Sequence, residues 1–196
     1  MIIMFFGDSL VNGTGDPSCL GWPGRVCVEA WRSGNQVTCY NLGVRAESSR
    51  EVLARWEAEY APRVLEGQDI GLVFSFGTGD SAAPAGTRRV PLQESGQKTS
   101  AILKKAGRLG KTLFVGPPPV LDRAHTERNR ETSREIERCC TELGVPFLDP
   151  LPALLESEPY LCDLENGDGI HPSADGYNKL AELVISWSGW RSLTNS

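Results

Sequence analysis

Ile2-Ile3-Met4-Phe5-Phe6-Gly7-Asp8-Ser9 opens the chain with five apolar residues, a glycine and, two positions on, a serine. A short unbroken apolar run fits a β-strand covered on both faces, since a half-solvated strand would alternate apolar with polar residues. Four further runs repeat the pattern. They are residues 37–42 closing at Gly43, 70–76 closing at Gly77, 112–115 closing at Gly116, and 145–148 closing at Asp149-Pro150. Helical spacing fills the intervals. Residues 22–33 pair Val26 with Ala30 and Cys27 with Trp31. Ser48-Ser49-Arg50-Glu51 reads as a capping box ahead of Val52, Leu53, Trp56 and Tyr60. Residues 100–109, 127–143 (with Gly144 as stop) and 173–187 complete the set. Strand–helix alternation predicts an α/β fold in three layers, a five-stranded parallel sheet between helices, joined by right-handed crossovers. Residues 80–98, with Ala82-Ala83-Pro84-Ala85-Gly86, read as the least structured stretch, either a loop beside the site or a plain surface connection.

Length and composition agree with this. The 196 residues suit one domain, 1–196, large enough to bury roughly 70% of its unfolded surface. The net charge of −5 and the absence of a basic run argue against nucleic acid or an anionic membrane as partner. No run reaches the length of a membrane span. The opening residues lack the basic flank of a secretion signal, so a cytoplasmic protein is expected. Six cysteines, of which only Cys139 and Cys140 are adjacent, and two histidines show no metal-ligand spacing. The cysteines are expected to be small buried apolar side chains, and no metal or cofactor is expected. Trp187, Trp190 and the C-terminal tail are candidates for a contact patch, and the oligomeric state is open.

In a parallel sheet of this kind ligands bind beyond the carboxyl ends of the strands. Ser9 sits at such an end, with Gly7 allowing a tight turn before it. A serine hydroxyl attacks only when a base takes its proton, and histidine is the usual base. His171, in Asp168-Gly169-Ile170-His171-Pro172, follows the last strand at the entry to the last helix, where Pro172 suits the first turn. Asp168, three residues earlier, can hold the imidazole tautomer. His125 has no such carboxylate before it and reads as a solvated or capping residue. A dinucleotide fingerprint at Gly77-x-Gly79-x-x-Ala82 lacks its acidic partner, and residues 7–13 lack the lysine of a phosphate-binding loop.

Four blocks taken in order resemble the SGNH or GDSL hydrolases: Gly7-Asp8-Ser9-Leu10, Asn41-Leu42-Gly43-Val44-Arg45, Gly77-Thr78-Gly79-Asp80, and Asp168-Gly169-Ile170-His171-Pro172. The resemblance implies a flavodoxin-like sheet of order 2-1-3-4-5. It implies Ser9 as nucleophile, His171 as base, Asp168 as orienting acid, and the N–H groups of Ser9 and Gly43 as oxyanion donors. It further implies hydrolysis of a carboxylic ester, a small-molecule substrate, through an acyl-enzyme. One departure stands out. The family's third block carries an asparagine as third oxyanion donor where this chain has Gly79. Loss of one such donor typically costs about 100- to 1000-fold in rate. Asn12, Arg45 and an ordered water are candidates to replace it, Arg45 equally a plain surface residue or a contact for a substrate carboxylate. Asp80 matches a mainly structural aspartate. An acyltransferase, and a ligand-binding protein with weak hydrolysis, remain alternatives on the same fold.

Overall fold

The computed structural model describes residues 1–194. β1 (Ile2–Gly7) pairs in parallel with β2 (Thr38–Gly43) on one side and β3 (Ile70–Ser75) on the other. β4 (Lys111–Val115) pairs with β3, and β5 (Phe147–Leu148) with β4. The order is thus β2-β1-β3-β4-β5. It reverses direction between β1 and β3, which opens a crevice at their carboxyl ends. The register sets Gly7 level with Gly43 and Ser75.

Among the described residues there are ten α-helices: α1 (Ser9–Asn12), α2 (Gly21–Arg32), α3 (Ser49–Tyr60), α4 (Thr78–Ser81), α5 (Leu92–Ala106), α6 (Arg123–Leu143), α7 (Leu151–Leu155), α8 (Glu158–Asn166), α9 (Ala174–Ser186) and α10 (Ser188–Thr194). Side-chain alternation along β1 divides them. Ile3 and Phe5 join one core with α2, α8, α9 and α10, where Phe5 meets Trp22 edge-on at 5.4 Å. Ile2, Met4 and Phe6 join the other with α3, α5 and α6, where Phe6 stacks on Phe74 at 5.3 Å and Trp56 closes edge-on. Full burial of each such side chain stabilises by about 1.5–3 kcal/mol.

Several sequence readings shift. β2 is an edge strand and half-exposed, so covering on both faces holds for the inner strands only. α5 begins at Leu92, eight residues before the predicted start, so the expected loop 80–98 is helical at both ends. α9 begins at Ala174 with Ser173 as N-cap, so Pro172 precedes the cap instead of occupying the first turn. The capping box at Ser48 and Glu51 forms with both halves present, and Gly144 ends α6 at φ +67°. Trp190 is buried against Phe5 and is not available to a surface patch, while Trp187 packs on the same core and stays half-buried. The last two residues of the tail lie outside the described residues. The cysteines split: Cys27, Cys139 and Cys140 are buried, Cys39 is half-buried, and Cys19 and Cys162 are exposed. Among the described residues no helix is long and apolar enough to cross a membrane.

Candidate active site

Gly7 ends β1 where a Cβ would stand 1.9 Å from the Ser75 carbonyl oxygen. Close approach of β3, rather than a left-handed turn, is what requires glycine there. Asp8 caps α1, its Oδ1 accepting from the Leu10 N–H at 2.9 Å. Burial raises the Asp8 carboxyl to about 7, against the opposing hydrogen bond from Leu10. Ser9 is the first residue of α1, so its N–H has no partner within that helix.

His171 and Asp168 arrive on one loop between α8 and α9. Asp168 Oδ1 accepts from the N–H groups of Ile170 and His171, both at 2.9 Å, which folds the loop into a single turn. Its Oδ2 lies 2.6 Å from His171 Nδ1, and His171 Nε2 lies 2.7 Å from Ser9 Oγ. Burial pushes the Asp168 carboxyl up, but the His171 and Ile170 hydrogen bonds outweigh it and leave it at about 2. An ionised carboxylate only accepts, so Nδ1 carries the ring proton and Nε2 accepts from Ser9. The Asp168 side chain is 54% exposed, so water reaches the carboxylate that His171 faces. The segment after α1 is fastened to α9: Tyr177 donates to the Thr14 carbonyl at 2.8 Å, and Arg25 bridges Asp16 to the Ala174 carbonyl.

Across the crevice, Gly43 meets α1 so closely that a Cβ would stand 2.2 Å from the Asn12 nitrogen. The Gly43 N–H donates to Asn41 Oδ1 at 3.0 Å, while Asn41 Nδ2 donates to the Val11 carbonyl at 2.8 Å. Asn41, which the sequence reading passed over, therefore joins the Ser9 turn to the end of β2. The Asn-x-Gly spacing at a strand end was the signal for it. Asn12 donates to the Gly43 carbonyl at 3.4 Å and accepts from Thr14. It braces that turn between the end of β2 and Thr14. Asp80 is fully buried, accepting from the Ser49 N–H at 2.6 Å and the Ser95 hydroxyl at 2.5 Å. It joins α3 and α5 to α4 and gives no support to an oxyanion.

Gly79 explains its own missing side chain. A Cβ there would stand 2.1 Å from the Glu47 carbonyl oxygen. The loop between β2 and α3 fills the space an asparagine would need. That loop holds Ala46 at φ +63° and carries Arg45.

Ser9, His171, Gly79, Thr78, Ala82, Ile170, Arg45, Ala46, Glu47, Arg89, Asp8 and His125 line one cavity of about 240 Å³. His125 corrects its reading as a solvated or capping residue. It is buried, with Nε2 3.0 Å from both the Thr78 carbonyl and the Ser81 hydroxyl. A carbonyl only accepts, so Nε2 bears the proton, and burial lowers the pKa and favours the neutral ring. Its position at the start of α6, past the end of β4, was the signal that it faces the crevice. Among the described residues no cluster of side chains could hold a metal ion.

Residues 5–179 match the model of the GDSL-like lipase/acylhydrolase family. Curated protein sequences give no significant match. Solved structures of the same fold include a lipase/acylhydrolase from Enterococcus faecalis (22% identity, 94% of this chain and 93% of that one, TM-score 0.78). They also include the acetylxylan esterase Axe2 from Geobacillus stearothermophilus (21% identity, 97% and 96%, TM-score 0.75). A third is a lipolytic G-D-S-L family protein from Veillonella parvula (18% identity, 96% and 98%, TM-score 0.75). With this match over most of its length, the chain belongs to the GDSL-like lipase/acylhydrolase family, a family of carboxylic ester hydrolases.

Proposed function

We propose that Ser9, His171 and Asp168 act as a catalytic triad that hydrolyses small-acyl carboxylic esters through an acyl-enzyme. The observation that carries this is the continuous chain from Ser9 Oγ to His171 Nε2 (2.7 Å) and from His171 Nδ1 to Asp168 Oδ2 (2.6 Å). His171 takes the Ser9 proton as the oxygen attacks the ester carbonyl. The C–O bond to the alcohol then breaks, and the proton passes from Nε2 to the leaving oxygen. Water repeats the sequence on the acyl-serine and releases the acid. Asp168 stays ionised throughout and stabilises the imidazolium.

Two N–H groups serve the developing oxyanion. That of Ser9 is unpaired within its helix, and that of Gly43 is shared with Asn41 Oδ1. The Glu47 carbonyl occupies the place of a third donor beside Gly79. The cavity of about 240 Å³ fits an acyl group of a few carbons, and an acetylxylan esterase of the same fold supports a small acyl group.

The test is hydrolysis of p-nitrophenyl acetate, butyrate and octanoate by wild type and Ser9→Ala, with thermal melts of both. The expected result is turnover that falls with acyl length and disappears in Ser9→Ala at unchanged melting temperature. Equal turnover in a clean Ser9→Ala preparation overturns the mechanism.

A further inference from the structure

We infer that the site prefers esters bearing a second, anionic group, a carboxylate held by the Arg45 guanidinium with Arg89 beside it. This rests on the hydrolytic reading above and names the substrate class of the same site.

Arg45 is exposed, lines the cavity that contains Ser9, and makes no hydrogen bond or ion pair with any described residue. Arg89 lines the same cavity from the segment between α4 and α5. One of its nitrogens donates to the Ala46 carbonyl, and another lies 3.5 Å from Glu51.

The acids nearby are committed elsewhere. Glu47 receives Arg55 Nε at 2.7 and 2.9 Å. Glu51 accepts from the N–H and hydroxyl of Ser48. Asp168 holds His171, and Asp8 is buried against Leu10. No carboxylate lining the cavity neutralises Arg45, so an incoming anion meets an uncompensated cation on the cavity wall. A guanidinium presents paired N–H donors matched to a carboxylate, a geometry a lone ammonium lacks.

The loop is also ordered before substrate arrives. The Glu47 carbonyl rests where a side chain on residue 79 would sit, Arg89 holds the Ala46 carbonyl, and Arg55 holds the Glu47 carboxylate. Binding thus loses little entropy in ordering the loop that bears Arg45. The glycine that removes the family's third oxyanion donor is what lets this loop close on the site.

The experiment compares isosteric pairs. Monoethyl succinate against ethyl 4-methylpentanoate places the charge on the acyl side. O-acetylglycolate against isobutyl acetate places it on the alcohol side. kcat and KM are measured for wild type and Arg45→Gln. Succinate and glycolate binding to Ser9→Ala is followed by calorimetry, with and without Arg45→Gln.

The expected result is a wild-type preference of about tenfold or more in kcat/KM for one anionic ester over its neutral partner. Arg45→Gln should lower that anionic-to-neutral ratio about 10- to 100-fold, chiefly through KM, and weaken binding of the matching acid. The proposal is overturned by equal rates on both members of each pair. It is equally overturned if Arg45→Gln lowers kcat alike on neutral and anionic esters, which would place the guanidinium at the oxyanion. If the acid binds through Arg45 while no ester is turned over, the hydrolytic reading fails and the anion site stands.

Discussion

Restoring the family's asparagine by Gly79→Asn is the obvious repair of the oxyanion hole, and the structure predicts that it fails. A Cβ on residue 79 would lie 2.1 Å from the Glu47 carbonyl oxygen and 3.1 Å from its carbon. Ordinary contacts would require the loop to retreat by about 1 Å. The loop is tied at several points. Arg55 holds the Glu47 carboxylate at 2.7 Å, Arg89 holds the Ala46 carbonyl, and Asp80 takes the Ser49 N–H at 2.6 Å. Forcing atoms into such a site costs about 1–3 kcal/mol. For a chain of this size that lowers the melting temperature by about 3–10 °C. Gly79→Ala should show the same loss, because the clash begins at Cβ. The assay pairs thermal melts with kcat/KM on p-nitrophenyl acetate for both variants. Lower stability and no gain in rate are expected. A Gly79→Asn protein that gains rate at wild-type melting temperature would refute the argument, since it would show that the loop yields freely.

Three further outcomes are expected. Asp8 titrates near 7 when folded against 3.8 as its ordinary value, so the folded state holds its proton more tightly. That contribution is full below 3.8 and is lost as pH rises through about 7. The stability difference between wild type and Asp8→Asn should therefore change by about 4 kcal/mol over that range, and a flat difference in denaturant melts would contradict the burial argument. Gly43→Ala pushes a methyl group to 2.2 Å from the Asn12 nitrogen and should cost about 100-fold in kcat as its N–H is displaced. Near-normal kcat would remove Gly43 from the oxyanion site. Asp168→Ala should cost less in kcat than His171→Ala, because the half-exposed carboxylate can be partly replaced by water. The reverse order in steady-state kinetics would make Asp168 more than an orienting group.

How legible all this was depends on where the information resides. The inner strands could be read because each is buried on both faces and is apolar throughout, as residues 70–76 are. β5 was harder, since two paired residues carry little signal. The start of α5 was missed because Pro91 and the polar Gln93, Glu94 and Ser95 resemble a loop, while Ser95 is in fact buried by its bond to Asp80. Ser9 could be read because it follows a strand end, and Asp168 and His171 because they stand three residues apart in one short segment and carry chemistry few residue types supply. Asn41, His125 and Arg89 were not, because their roles come from contacts across 30 to 47 positions of sequence. The reason for Gly79 was hidden for the same cause: the atom that excludes a side chain belongs to Glu47, on another loop.

These contacts show how the fold fixes a candidate site built on loops and short helix starts. The apolar cores hold the sheet and its covering helices and enter the strand-end segments at Val11 and Phe76. Those segments are held by buried or half-buried polar side chains that each reach two of them. Arg55, from α3, donates to the Leu42 carbonyl at 2.7 Å and the Gly7 carbonyl at 3.2 Å while it holds Glu47. Asn41 joins the end of β2 to the nucleophile turn, and Asp80 joins α4 to α3 and α5. His125 and Asn129, both on α6, meet at Ser81 and carry the bond network on to the Thr78 and Pro118 carbonyls. Hydrogen bonds are directional where apolar packing is not, so such a network sets atom positions and not merely proximity. It also explains why the departure at Gly79 need not disable the site. With the loop of residues 44–47 drawn in and pinned by Arg55 and Arg89, the crevice loses a side-chain amide and gains a fixed wall that carries a free guanidinium.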